Sequence, residues 1–433
     1  MKKRILFGIG VVVLMIATQF AGMTQTAQAA KKAKGSSKKN AVYVSASAKK
    51  EGNGTFEAPY KTIQQAIDSL KNKKGKTIYL RKGTYNEKVV FTKSGSKSKP
   101  IVITRYGKEK AVISGQKTDG AIISLNGQKY IQITNLEICN TSGFSHGILG
   151  NGGENNITIK NNKFHDLNVE SGQDGSQGTN AVIFYCAKAS ANIVVDSNRI
   201  YNCRTGFSEA ITFNGNVKNI KITNNTIENT TNIAIDVAGH YGACETTKYD
   251  QARNVVIKNN KIKNCVSKIA ANAGIYSDGA KNVQILNNTV SGCPYGICAG
   301  AECPDGGYAT SDITITGNKV SKCQYGALLV GGTQATVKNV TVSKNTLSTD
   351  NVNCPIYINK ANNVKIKKNT LKTQGTSVVG NFYSADETKN VTFSGNTYYA
   401  GAKTAEETIS RLYDEVFWGI ECIDSTYKYI PMV

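Results

Sequence analysis

The 433-residue chain has one Trp, three His and four Met, and its 30 Asp and Glu are outnumbered by 53 Lys and Arg. Its cysteines show neither the CxxC pairs nor the clustered His of a zinc site, so thiolate metal binding is set aside. No recognised nucleic-acid motif accompanies the basic charge. Past Phe20 no apolar run is long enough to cross a bilayer, and stable membrane insertion is not expected once the N-terminus is removed. The shortage of acid leaves a formal charge of +23, which fits an anionic partner such as an acidic polysaccharide.

The N-terminus reads as an export signal. Lys2, Lys3 and Arg4 precede an apolar stretch from Ile5 to Phe20, and Ala27-Gln28-Ala29 offers a small-x-small cleavage site. The expected organisation is a signal peptide over 1–29, a basic linker over 30–40 and one domain over 41–433, secreted and monomeric. Losing the first segment lowers the charge to +20, and the five Lys of the linker take it to +15. Eleven Cys leave at least one outside any intramolecular pair. Cys203, Cys265, Cys293 and Cys323 share one slot of the repeat described next, a spacing that suits either disulfides or packed thiols.

What the chain has in abundance is one phrase: an apolar strand, an Asn, and a second short strand. Copies include NITIKNNKF (Asn156 to Phe164), NIVVDSNRI, NIKITNNTI, NVVIKNNKI, NVQILNNTV and DITITGNKV, with three more ending at Tyr398. The aligned Asn are 162, 198, 225, 260, 288, 318, 345, 369 and 396. Such a period marks a solenoid, and the I-x-I alternation makes its units strands. Each coil is too small to bury its own apolar face, so coils must stack. The recurrent Asn is expected at a corner, where it tolerates left-handed backbone and its amide can bond the next coil. A further strand precedes each phrase, as in EAITF, IAIDV, AGIYSD and YGICAG. Three strands per coil predict an all-β, right-handed parallel β-helix. Pro59 and the apolar positions Ile63, Ala66, Ile67 and Leu70 predict an N-terminal capping helix, and Thr404 onward a C-terminal one.

Departures from the repeat locate the chemistry. From first strand to corner Asn, a simple coil takes 13 or 14 residues, whereas Ile235 to Asn260 takes 25 and Ile297 to Asn318 takes 21. The excesses are the loops Gly239 to Ala252 and Gly300 to Ser311, which leave the same corner one coil apart. A third insertion spans Asp166 to Asn180. Around the first two loops the sequence collects Glu209, Asp236, Asp278 and Glu302, with Tyr276 between them. The long loop adds His240, Tyr241, Glu245, Lys248, Tyr249, Asp250 and Arg253. Carboxylates one coil apart, roughly 5 to 10 Å, suit calcium coordination or paired acid–base work. The competing structural reading pairs Asp236 with Arg253 and leaves Lys248 and Glu245 as solvated loop charges.

The opening VYVSAS…GNGTFEAPYKTIQQAID…GKTIYLRKGTYNE, the Asn phrase and the helical cap resemble secreted β-helix proteins of the pectin-lyase-like superfamily. That resemblance implies substrate along the first-strand sheet and a lyase acting by β-elimination on a uronate polysaccharide. The family's motifs do not fix the site residues; in the lyase reading of this sequence Asp236, Asp278 and Glu302 hold calcium or neutralise the substrate, and Lys248 or Arg253 is the base. Tyr276 and His240 position the sugar, with Glu209, Tyr241, Glu245, Tyr249 and Asp250 binding around it. YSDG (Tyr276 to Gly279) departs from the calcium-dependent pectate lyases, which pair two Asp there. A glycoside hydrolase using two of Glu209, Asp236, Asp278 and Glu302 is the alternative. A non-catalytic glycan-binding protein is the third reading.

Overall fold

The computed structural model describes residues 38, 40–168, 178–270, 272–375, 379–380, 387–399 and 420–421. The proposed signal peptide, most of the linker, the C-terminal helix and much of the Asp166 to Asn180 insertion lie outside these. The rest is a right-handed parallel β-solenoid of about 11 turns. Each full turn contributes a strand to each of three parallel sheets. The first sheet carries in-register Val182, Ile211, Ile235, Ile275, Ile297, Leu328 and Ile356. The second carries Ile193, Ile220, Val255, Val283, Ile313, Val340 and Val364. These side chains point inward and are essentially inaccessible, giving one continuous apolar core.

The corner asparagines form a continuous column. Asn225 Nδ2 donates to Asn260 Oδ1 (3.0 Å) and to the Val195 carbonyl (3.0 Å), while Asn260 Oδ1 also accepts the Asn225 amide (2.9 Å). The same pattern runs from Asn162 to Asn396. The left-handed residue, however, is the one before: Asn161 (φ 56°), Asn224 (φ 56°), Asn259 (φ 57°) and Gly317 (φ 70°) make the turn. That inversion of the chain swings the following side chain into the corner, where its amide meets its neighbours. Cys203, Cys265, Cys293 and Cys323, the four that share one slot of the repeat, are buried free thiols.

The N-terminal helix is short, Ile63–Asp68, and Pro59 precedes it by several residues. It starts at Thr62, whose hydroxyl accepts the Gln65 amide while the Gln65 side chain accepts the Thr62 amide. Tyr85 and Phe91 are core residues, whereas Tyr79 faces outward and stacks on Tyr43 at 5.6 Å.

Candidate active site

Strand alternation aims the acids. In Ile235–Ala238, Ile235 and Val237 point inward with no exposed surface, so Asp236 must point out of the first sheet. In Ala273–Asp278, Ile275 and Ser277 are the inward pair, leaving Tyr276 and Asp278 outside. Thr212, Asp236, Tyr276 and Cys298 therefore form one outward row across four coils. Ala238, Asp278 and Gly300 form the next row, and Glu302 follows two residues after Gly300.

These rows floor a cleft of about 320 Å³. Phe207, Glu209, Asn232 and Ala270 wall it from one corner, and Tyr241 and Glu302 from the other. Tyr241, carried by the long loop, reaches back to donate its hydroxyl to Asp278 Oδ2 and lies 3.3 Å from Glu302 Oε2. Tyr276 donates to Glu302 Oε1 (2.9 Å), and the Glu302 amide donates to Asp278 Oδ1 (2.9 Å). Thr212 donates to Glu209 Oε2 (2.7 Å) and accepts from Asn180 Nδ2 (2.9 Å). Asp236, 6% exposed, has no partner for its Oδ1.

The electrostatics follow from what is missing. No Lys, Arg or His is among the described residues lining the cleft. Burial first, then repulsion from Glu209, Asp278 and Glu302, pushes the Asp236 carboxyl well above the ordinary carboxylate range. Burial also raises Glu209 to about 7, against the opposing Thr212 hydrogen bond, and raises Asp278 to about 7 with Glu302 adding repulsion. Both phenols are held protonated by burial and by the adjoining carboxylates.

The expected residues thus divide. Glu209, Asp236, Tyr241, Tyr276, Asp278 and Glu302 share the cleft, whereas His240, Glu245, Lys248, Tyr249, Asp250 and Arg253 do not line it. Arg253 is held by the Tyr249 and Gln251 carbonyls (2.7 and 2.8 Å) and by Asn216 Oδ1 (2.8 Å), so it makes no pair with Asp236 and is not placed as a base. Lys248 is exposed, its ammonium 5.8 Å from the Tyr249 ring, and Glu245 is exposed as well. Asp250 is buried and closes the loop by accepting the Gly242 and Cys244 amides. His240 Nε2 lies 3.1 Å from the Tyr308 carbonyl and so ties the two long loops together. These residues shape the wall that carries Tyr241.

Calcium fits the cleft poorly. Among the described residues no three acidic, His or Cys side chains are grouped to ligate a metal. Phe207, Thr212, Asn214 and Asn232 escaped the sequence reading. Thr212 and Asn214 were accessible to it, since they occupy the outward positions of ITFNG. A larger groove of about 540 Å³ on the second sheet is lined by asparagines, Lys97 and Lys221 but by no acid, and offers no acid–base pair.

The fold is a right-handed parallel β-helix, the architecture that the resemblance to the pectin-lyase-like superfamily implies. Residues 42–230 match the Pel9A-like right-handed β-helix region and residues 249–405 the right-handed β-helix region. The uncharacterized protein YwoF of Bacillus subtilis (strain 168) is 29% identical over 308 residues, which are 67% of this chain and 64% of that protein, so the match spans just under two thirds of the relative. Among solved structures, the A-module of the mannuronan C-5 epimerase AlgE6 from Azotobacter vinelandii aligns with TM-score 0.53 at 14% identity, covering 86% of this chain and 95% of that one. The GH136 lacto-N-biosidase from Eubacterium ramulus aligns with TM-score 0.52 at 15% identity, over 96% and 70%. At these identities the likeness is one of fold.

Proposed function

We propose that the protein is an exported polysaccharide-active enzyme that hydrolyses glycosidic bonds with a pair of carboxyl groups in the first-sheet cleft. One observation carries this reading: Asp236 is a buried carboxyl among three others with no cation beside it. Such a group keeps its proton near neutrality and is suited to protonate a departing glycosidic oxygen. Glu209 is the partner. Its Oε2 accepts from Thr212, which favours the ionised form that a base or nucleophile needs. Asp278, Glu302, Tyr241 and Tyr276 form the sugar-holding side of the cleft.

β-Elimination on a uronate needs a base at the α-proton and a group that neutralises the carboxylate. Lys248 and Arg253 are turned to other partners, so hydrolysis is the better supported reaction. The polysaccharide-active folds of the two solved relatives agree with a glycan substrate in general. Export through residues 1–29 belongs to the same proposal.

The test is product analysis after incubation with a panel of neutral, amino and uronate polysaccharides. New reducing ends without ultraviolet absorbance from an unsaturated sugar support hydrolysis, and Asp236→Asn removes them with the fold unchanged by circular dichroism. Unsaturated product, or full turnover by Asp236→Asn, refutes the assignment.

A further inference from the structure

The cleft is built almost entirely of hydrogen-bond acceptors. Four of its lining residues are acids: Glu209, Asp236, Asp278 and Glu302. Two more acceptor oxygens on its lining residues have no partner in the protein, Asn214 Oδ1 and Asn232 Oδ1, on side chains only 8% and 3% exposed. The Asn232 assignment is fixed by its other end, because Nδ2 donates to the Ser208 carbonyl at 3.0 Å and a carbonyl can only accept. The Tyr241 and Tyr276 hydroxyls point at carboxylates, and Thr212 points at Glu209. Buried acceptors left without donors cost about 1–3 kcal/mol each, so the cleft is complementary to a ligand that brings donors.

We infer that the sugar entering this cleft is a hexosamine unit with a free amino group, its ammonium seated against Asp278 and Glu302 and its hydroxyls against Asn214 and Asn232. This rests on the glycoside-hydrolase reading for the reaction and adds the substrate class. A uronate would bring another carboxylate to four acids with no cation to receive it, which costs rather than gains Coulomb energy. An ammonium instead supplies three donors and the missing opposite charge at one point, and charge-assisted hydrogen bonds are the strong ones. Asp236 lies one coil away from Asp278 and two residues back along its strand, so the ammonium can neutralise the Asp278–Glu302 pair while Asp236 keeps the proton for the leaving oxygen. The positive exterior does not enter this argument, because none of its Lys or Arg lines the cleft among the described residues.

The experiment is calorimetric titration of the full-length Asp236→Asn protein, in which cleavage is blocked and the shape of the neutral side chain kept. The probes are three tetrasaccharides: β-1,4-glucosamine, β-1,4-N-acetylglucosamine and α-1,4-galacturonate. The amine tetramer is expected to bind at least about tenfold tighter than either other probe at pH 7, where a substantial share of its amines is still protonated, and adding Glu302→Gln should remove that preference. Equal affinities, tighter uronate binding, or a preference that survives Glu302→Gln in the folded protein overturns the inference. The outcome is separable from the reaction assignment. An amine preference in a protein that cleaves nothing keeps this inference and refutes the hydrolase reading. Cleavage of a neutral or uronate glycan without amine preference does the reverse.

Discussion

The acid cluster makes an opposite demand on stability and on function, and Asp278→Asn measures it. Asp278 is 3% exposed, and its carboxyl is pushed from 3.8 up to about 7, chiefly by burial and then by Glu302. The folded protein therefore holds this proton more tightly than the unfolded chain. Below about pH 4 the group is protonated in both states and costs nothing. As pH rises from there to 7 the unfolded carboxyl ionises freely while the folded one resists, so stability falls across that window and stays lowered above it. A difference of about 3 pH units is worth about 4 kcal/mol, at about 1.4 kcal/mol per unit, as an upper bound. Asn occupies the same volume, its Oδ1 can still accept the Glu302 amide, and its Nδ2 can donate to the Tyr241 oxygen. Urea unfolding followed by far-ultraviolet circular dichroism should show Asp278→Asn more stable by about 2–4 kcal/mol at pH 9, with the gain gone at pH 3. A variant less stable than the parent at pH 9, or an identical difference at both pH values, would refute the electrostatic account of the cleft.

The other expectations concern the partner acid, the loop and the scaffold. Thr212→Val removes the hydrogen bond that opposes the rise of Glu209, so the acid limb of the pH–rate profile, set near 7, should move to higher pH; an unmoved limb removes Glu209 as the base. Lys248→Ala should leave kcat/KM within about twofold, because an exposed loop charge changes little, and a loss of about a hundredfold or more in steady-state assays would restore Lys248 as a base. Asn260→Ala deletes four side-chain hydrogen bonds, to the Asn225 amide and Nδ2, the Ile222 carbonyl and Asn288 Oδ1. At about 0.5–1.5 kcal/mol net each, it should cost about 2–6 kcal/mol in urea unfolding; a loss below about 1 kcal/mol contradicts the role given to that column.

The scaffold was legible because its physics is local and repeated. Alternation assigns each Ile to the core, and a fixed interval to the next Asn stacks one coil on another, so both can be read without knowing any long-range contact. The same alternation placed Asp236 and Asp278 on the outer face. The loop residues were another matter. His240, Asp250 and Arg253 look like chemistry in a sequence, yet each is consumed by backbone groups: the Tyr308 carbonyl, the Gly242 and Cys244 amides, and the Tyr249 and Gln251 carbonyls. A loop of this length has many unpaired peptide groups to satisfy, and charged side chains are the means at hand. Tyr241, on the same loop, has no property in the sequence that separates it from Tyr249; only the path of the folded loop sends one phenol into the cleft and leaves the other outside. The corner residues differ for a similar reason. Asn224 and Asn225 are chemically the same, but the left-handed turn at Asn224 decides that Asn225 faces the corner.

Glu209, Asp236 and Asp278, all with raised proton affinities, crowded beside Glu302 and two unpaired amide oxygens would be an improbable arrangement in a small fold, where a few kcal/mol decide whether the chain folds. A solenoid tolerates it because each coil is held by its neighbours above and below. The strands bearing Asp236 and Asp278 are flanked by Ile211 and Ile297, all packed into one uninterrupted core, so the outward row cannot relax by letting the strands drift apart. The repulsion is thus confined to side chains that a ligand can satisfy. This also accounts for the position of the two insertions. A loop one coil further along would carry Tyr241 past Asp278, and the hydroxyl that now orients that carboxylate would meet Gly300, which has no side chain to orient. The spacing of the bulges is therefore part of the site's chemistry, and grafting the Gly239 to Ala252 loop one coil later should separate acid raising from substrate holding, with Asp236 still protonated but Asp278 no longer positioned.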